Sequence, residues 1–236
     1  MASNDKCAGN SRLAWLGLAL AAVFACAISF ARADETATPQ KLLFDAPYLS
    51  KLNVPSALHY SYQHTTSAEK AFGKSFTDTI EIDVGANDND GGINSVIMRI
   101  FTGERQRQLG PHLNLTGNPV IMIFLERDLW EMKQRIGGKA VYYRNRIRRA
   151  FRETAKIEKG QAEFDGKTIP VHKVTIKPFT GEQGQRRMQK FLNKSYEFTV
   201  GEAVPGGILK VRTVLPADEA ESAAIVSDEL TFVGVK

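Results

Sequence analysis

Phe76, Asp78, Ile80, Ile82 and Val84 fall on one side of an alternating run, with Thr77, Thr79, Glu81 and Asp83 on the other. Such a period of two is what a strand with one buried face requires. The same period marks Ala57–Thr66, where Leu58, Tyr60 and Tyr62 share a side, and a third run over Asn94–Gly103. It returns beyond residue 155. Between these two halves, from residue 118 to residue 155, the period changes to that of a helix. This order of strands, two helices and strands again predicts an α+β fold. About eight to ten antiparallel strands are too many for a small flat sheet, so a strongly curved, half-barrel-like sheet is expected. Two central amphipathic helices would pack on its concave face.

Turn chemistry punctuates the runs. GANDNDGG joins the second and third as a hairpin turn. A calcium-loop reading fails on spacing: with Gly92 at the invariant glycine position, the closing position is Met98 and not an acid. ERQRQLGPHLNLTG adds one short strand whose basic character suits a sheet edge. AKIEKGQAEF and TIPVHKVTIKPF form a hairpin around Asp165-Gly166, a pair suited to a tight turn. YEFTVGE and ILKVRTVLP form another around AVPGG, and DELTFVGVK is a last strand. Arg186–Lys194 reads as a short helix and PADEAESAA as a surface loop. KLLFDAPYLSKLNVP, broken by Pro47 and Pro55, carries a short helix or lies along the surface.

In the central block, Asn118-Pro119 is a helix start and Gly137-Gly138 a stop. Ile121, Leu125, Leu129, Met132 and Ile136 recur at helical spacing, and Phe124 joins their face. The opening VIMIFL is apolar all round, so that end should be deeply buried. Glu131 and Arg135 stand at the favourable i,i+4 spacing. The second helix sets Tyr143, Ile147, Ala150, Phe151 and Ala155 in one stripe, with Arg144, Arg148, Arg149 and Arg152 mostly opposite. From Lys139 to Arg152 there are six basic residues and no acid.

The first residues read as an address. Lys6 and Arg12 precede an apolar stretch from Leu13 to Ala31, and Ala31-Arg32-Ala33 supplies a small-x-small cleavage site. That is the form of a secretory signal peptide over 1–33, cut after Ala33. Both cysteines, Cys7 and Cys26, fall inside it, so a mature chain would have no disulfide and no thiol nucleophile. A Gram-negative periplasm suits a large disulfide-free exported domain. Val23-Phe24-Ala25-Cys26 resembles a lipoprotein box, but Phe24 fits it poorly. Of the formal charge of +5, the leader carries three bases and one acid, which leaves +3. Residues 34–56 form a tether and short segment. Residues 57–236 form a single curved-sheet domain with the helical insertion at 118–155.

Motifs for chemistry are few. His59, His64, His112 and His172 have no metal-ligand spacing, and His59 and His64 would face opposite sides of a strand. Glu126, Asp128 and Glu131 read as a solvated, salt-bridged helix face. No nucleophile elbow, Walker loop or dinucleotide fingerprint occurs. No catalytic residue, metal or cofactor is assigned, although an unrecognised hydrolase stays open.

The order of elements across about 57–235 resembles the lipoprotein carriers of the Lol type, whose curved sheet is closed by helices over an apolar cavity. The stretch NPVIMIFLERDLWEM…GGKAVYYRNRIRRAF is also similar to uncharacterised exported proteobacterial proteins. The first resemblance implies a periplasmic, non-enzymatic protein that binds a lipid or lipidated protein under its helices. Phe124, Leu125, Leu129, Trp130, Met132, Tyr143 and Phe151 would line or lid that site, and Arg144, Arg148 and Arg149 would face headgroups. The alternative is a structural or interaction protein of the envelope. Its basic helix, 140–155, would dock on an acidic protein or an anionic membrane. Export argues against nucleic acid as a partner.

Overall fold

Among the described residues, the computed structural model resolves the alternating runs into nine strands. They are β1 (Ser56–Thr66), β2 (Phe76–Asn87), β3 (Ile93–Ile100), β4 (Arg107–Leu113), β5 (Lys156–Phe164), β6 (Lys167–Ile176), β7 (Ser195–Val200), β8 (Ile208–Leu215) and β9 (Val226–Val235). Three helices accompany them: α1 (Glu69–Phe72), α2 (Val120–Ile136) and α3 (Ala140–Glu153). The structure describes residues 37–87, 93–184, 186–217 and 224–236. The expected leader, both cysteines, the turn at 88–92 and the acidic loop at 218–223 lie outside the described residues.

All pairings are antiparallel, in the order β4-β3-β2-β1-β9-β8-β7-β6-β5. The chain therefore makes two meanders. β1 to β4 step outward from the middle, and β5 to β9 step back in from the opposite edge. β1 and β9 meet in the middle, from Leu58 opposite Val235 to Thr66 opposite Val226. The helix pair connects one edge strand to the other. This is an α+β fold with one antiparallel sheet, as the order of periods implies.

Alternation sets the buried face. Leu58, Tyr60, Tyr62 and His64 point inward from β1, and Tyr196, Phe198 and Val200 from β7. The other face carries cross-strand ion pairs in place of apolar side chains. Arg99 reaches Glu81 at 3.2 Å and Asp83 at 2.7 Å, and Lys210 reaches Glu229 at 3.0 Å. Such half-exposed pairs keep a face soluble and add little stability each.

Edges and turns follow local chemistry. All seven residues of β4 are exposed, and Pro111, which lacks an N–H, is tolerated because the strand lies at the edge. The β5–β6 turn places Asp165 at φ 49° and Gly166 at φ 68°, the two left-handed positions of a tight hairpin turn. β3 stops at Ile100 rather than Gly103 because Phe101, at φ 62°, leaves extended geometry. Arg186–Phe191 is a 3-10 turn where a short helix is expected.

The segment before β1 does more than lie along the surface. A π-helical turn, Lys41–Asp45, and a 3-10 turn, Leu49–Lys51, bury Leu43, Tyr48 and Leu49 in the core. The Tyr48 ring rests against Gly207, where an added Cβ would stand 2.2 Å from it. That close approach and the φ of 75° both require glycine.

Candidate functional site

α2 is fixed at its start by one side chain. Asn118 Oδ1 accepts from the Val120 N–H at 3.1 Å, as a helix cap does. Its Nδ2 donates to the Tyr60 hydroxyl at 2.7 Å and to the Gly206 carbonyl at 2.8 Å. The cap is thus also a strap from helix to sheet. Beyond it, Val120, Ile121, Ile123, Phe124 and Leu125 are all buried, and Met122 alone of that opening run is exposed.

Six of the seven apolar residues singled out from the sequence come together between the helix pair and the sheet. Phe124, Leu125, Leu129, Met132, Tyr143 and Phe151 are each at most 8% exposed and belong to one core. Phe151 packs on Phe44 and Phe198 with ring centroids 5.4 Å apart in both cases, and Phe124 lies beside Tyr62 at 6.2 Å. Trp130 is placed elsewhere: it is 60% exposed on the outward side of α2. One residue past Leu129 is a turn of about 100°, which carries its side chain out of the interface.

A row of polar groups crosses the buried face at one end. The strand register sets Tyr196 opposite Thr213, Thr213 opposite Asp228, and Asp228 opposite His64. α2 lays Arg127, Asp128 and Glu131 over this row. Arg127 donates to the Tyr62 hydroxyl, which itself donates to Asp228. The same guanidinium lies 4.6 Å from the Tyr62 ring centre and 2.5 Å from Glu131. Asp128 pairs with Lys194 and accepts from the Tyr196 hydroxyl at 2.6 Å. Arg135, one turn beyond Glu131, donates to the carbonyls of Ala71 and Phe72 at the end of α1. Glu131 and Arg135 stand 3.7 Å apart at the spacing read from the sequence.

This cluster was not legible as a unit. Asp128 and Glu131 were expected on a solvated helix face, yet Asp128 is 3% exposed and Glu131 is mostly enclosed. The signal was present in the spacing. Asp128 lies three residues after Leu125 and four before Met132, on the inward face. Its partner Lys194 and the Asp228–His64 pair needed the tertiary register to be seen.

The surroundings shift the titrations. Burial alone would raise the Asp228 carboxyl, but His64, Arg127 and Tyr62 outweigh it and hold the group below its ordinary range. Burial dominates at Glu131 and raises it, with Arg127 and Arg135 only partly opposing. The Tyr62 and Tyr196 hydroxyls are raised by burial and by the neighbouring carboxylates, so both act as donors.

A small cleft opens beside α2, lined by Phe72, Asp128, Glu131, Arg135, Lys194 and Asp228 among others, with room for about one water molecule. His64 does not present a base to it. Nδ1 faces Asp228 at 2.7 Å and Nε2 faces the Phe72 carbonyl at 3.2 Å, so both ring nitrogens are engaged. His59 lies on the other face of β1, as its odd separation from His64 requires. Among the described residues no group of three or more His, Cys, Asp or Glu could hold a metal ion. No helix there is long and apolar enough to cross a membrane.

The basic helix divides into paired and outward arginines. Arg144 binds Glu126 through two bonds of 2.8 and 2.7 Å. Arg149 binds Glu153 at 2.6 Å, and Arg146 pairs with the buried Glu182. Arg148 and Arg152 are exposed and make no ion pair among the described residues.

No protein-family model matches the chain, and no curated protein matches it. Among solved structures, the crystal structure of the Mycobacterium tuberculosis lipoprotein LppX is similar to it. The identity is 11% and the TM-score 0.30, over 75% of this chain and 84% of that one.

Proposed function

We propose that this chain is an exported, non-enzymatic binding protein of the cell envelope. It takes an apolar or amphipathic ligand, a lipid or the lipid of a lipidated protein, between its helix pair and the concave face of a strongly curved sheet. Nine twisted antiparallel strands favour curling over a flat sheet. Export rests on the leader read in the sequence.

The observation that carries the reading is how the helix pair is attached. α2 and α3 are bound to the sheet by side-chain packing and a few polar straps at Asn118, Arg127 and Asp128, with no backbone ladder. Rigid displacement of the pair would break those straps and uncover a continuous apolar surface. That surface is Phe124, Leu125, Leu129, Met132, Tyr143 and Phe151 on one side and the buried strand residues Leu58, Tyr60, Tyr62, Tyr196 and Phe198 on the other. In this arrangement the cleft beside α2 has room for about one water, and displacement of the helices would open the larger space such a ligand takes.

A fluorescent fatty acid titrated into the protein tests this. Saturable binding is expected, and its absence would overturn the reading. Native mass spectrometry of protein purified from its own cells would show the ligand class as added mass.

A further inference from the structure

Trp130 is the largest apolar side chain on the outside of the helix pair, and it does not stand alone. Met122, Glu126 and Trp130 follow at steps of four and so form one outward stripe along α2. Met122 is 44% exposed and Trp130 60%. On α3, Val141, Arg144, Arg148 and Arg152 follow at steps of three, four and four and form a second stripe. Val141 is 52% exposed. The two bonds between Arg144 and Glu126 join the stripes side by side. The result is one surface with apolar groups (Trp130, Met122, Val141) interleaved with outward cations.

The charge on that surface is unbalanced. Glu126 is taken up by Arg144, and Glu153 by Arg149. Arg148 and Arg152 are left facing solvent, with the exposed Lys139 at the start of α3. An exposed indole with arginines a turn or two away suits the water–lipid boundary. The ring sits at headgroup level and guanidinium groups bind phosphate oxygens. An acidic protein would match the charge but has no particular use for three separate exposed apolar groups.

We propose that the outer face of the α2–α3 pair docks on an anionic lipid headgroup layer, with Trp130 as the interfacial anchor and Arg148 and Arg152 as the phosphate contacts. The proposal goes beyond ligand binding beneath the helices and does not depend on it.

Trp130 is the single tryptophan from residue 34 onward, the chain left by cleavage after Ala33, and serves there as the reporter. Its emission is followed as vesicles of equal parts phosphatidylglycerol and phosphatidylcholine are added, and separately vesicles of phosphatidylcholine alone. The expected result is a blue shift with the anionic vesicles only, reversed by high salt. Each cation lost near an anionic surface weakens partitioning about fivefold, so Arg148→Gln/Arg152→Gln should weaken it about 25-fold. Both side chains are exposed, so the variant should keep the wild-type circular dichroism spectrum. Equal shifts with both vesicle types, or a shift unaffected by the double substitution, would overturn the proposal. No shift with either type would also overturn it and leave the face to an acidic protein.

Discussion

Replacing Lys194 with methionine removes one charge from a pair that is almost wholly shut away from solvent. Asp128 and Lys194 are 3% and 4% exposed. Without the ammonium, Asp128 keeps only the Tyr196 hydroxyl at 2.6 Å as a donor. Breaking one side of a buried pair costs about 3–5 kcal/mol, because the other charge is left uncompensated. Asp128→Leu should cost about as much, since it strands the ammonium. Asp128→Leu/Lys194→Met removes both charges and fills the space with apolar atoms, a change that is often close to neutral. Its main cost is the Tyr196 hydroxyl left without its acceptor, about 1–3 kcal/mol. The two single costs together are about 6–10 kcal/mol, so the double variant should fall well short of their sum. The coupling should be at least about 3 kcal/mol. Equilibrium urea unfolding, followed by circular dichroism with the slope checked for constancy, measures all four corners. A single-variant cost under about 1 kcal/mol, or strictly additive costs, would refute the reasoning. The pair would then be wet in solution, and α2 would not be held by it.

Asn118→Ala should destabilise by about 2–4 kcal/mol, since it removes a helix cap and leaves the Tyr60 hydroxyl and the Gly206 carbonyl without their partner; a change under 1 kcal/mol in the same urea assay would show that the strap is not formed. Phe124→Ala should cost about 3–5 kcal/mol and Trp130→Ala less than about 0.5, because the first is buried and the second is outside; comparable losses would contradict the placement of Trp130. Asp228 is held below its ordinary value of 3.8, so the unfolded chain binds its proton first. Its stabilisation is complete above 3.8 and is lost as pH falls through the lower folded value. The difference in stability between wild type and Asp228→Asn should therefore narrow below about pH 3.8, and a gap that widens there would refute the sign.

Much of the fold could be read without coordinates, because each relevant signal is local. Period two fixed β1, β2 and β7 to β9 and the side of each that turns inward. Asp165-Gly166 marked a hairpin because only a few residues accept two successive positive φ angles. Asn118-Pro119 and Gly137-Gly138 bracketed α2 for similarly local reasons, and the arginines of α3 fell opposite its buried stripe by spacing alone. Six of the seven apolar residues expected to line or lid a site beneath the helices are buried in one place.

What the tertiary structure decided is partnership. No local rule states that β9 returns to pair with β1, yet that pairing brings Asp228 to His64 and Tyr62 across more than 160 positions of chain. The burial of Lys194 follows from the path of the chain between β6 and β7, and a lysine read alone is ordinarily a surface residue. The arginines of α3 likewise read as one cationic face, but the meaning of Arg144 and Arg146 depends on where Glu126 and Glu182 lie. Propensity and period act over a few residues, so a sequence can state which side of an element is apolar. Ion pairs and straps depend on separations of a few ångströms between distant parts of the chain. Only the folded arrangement sets those, and with them which charges hold the helices down and which are left to meet a partner.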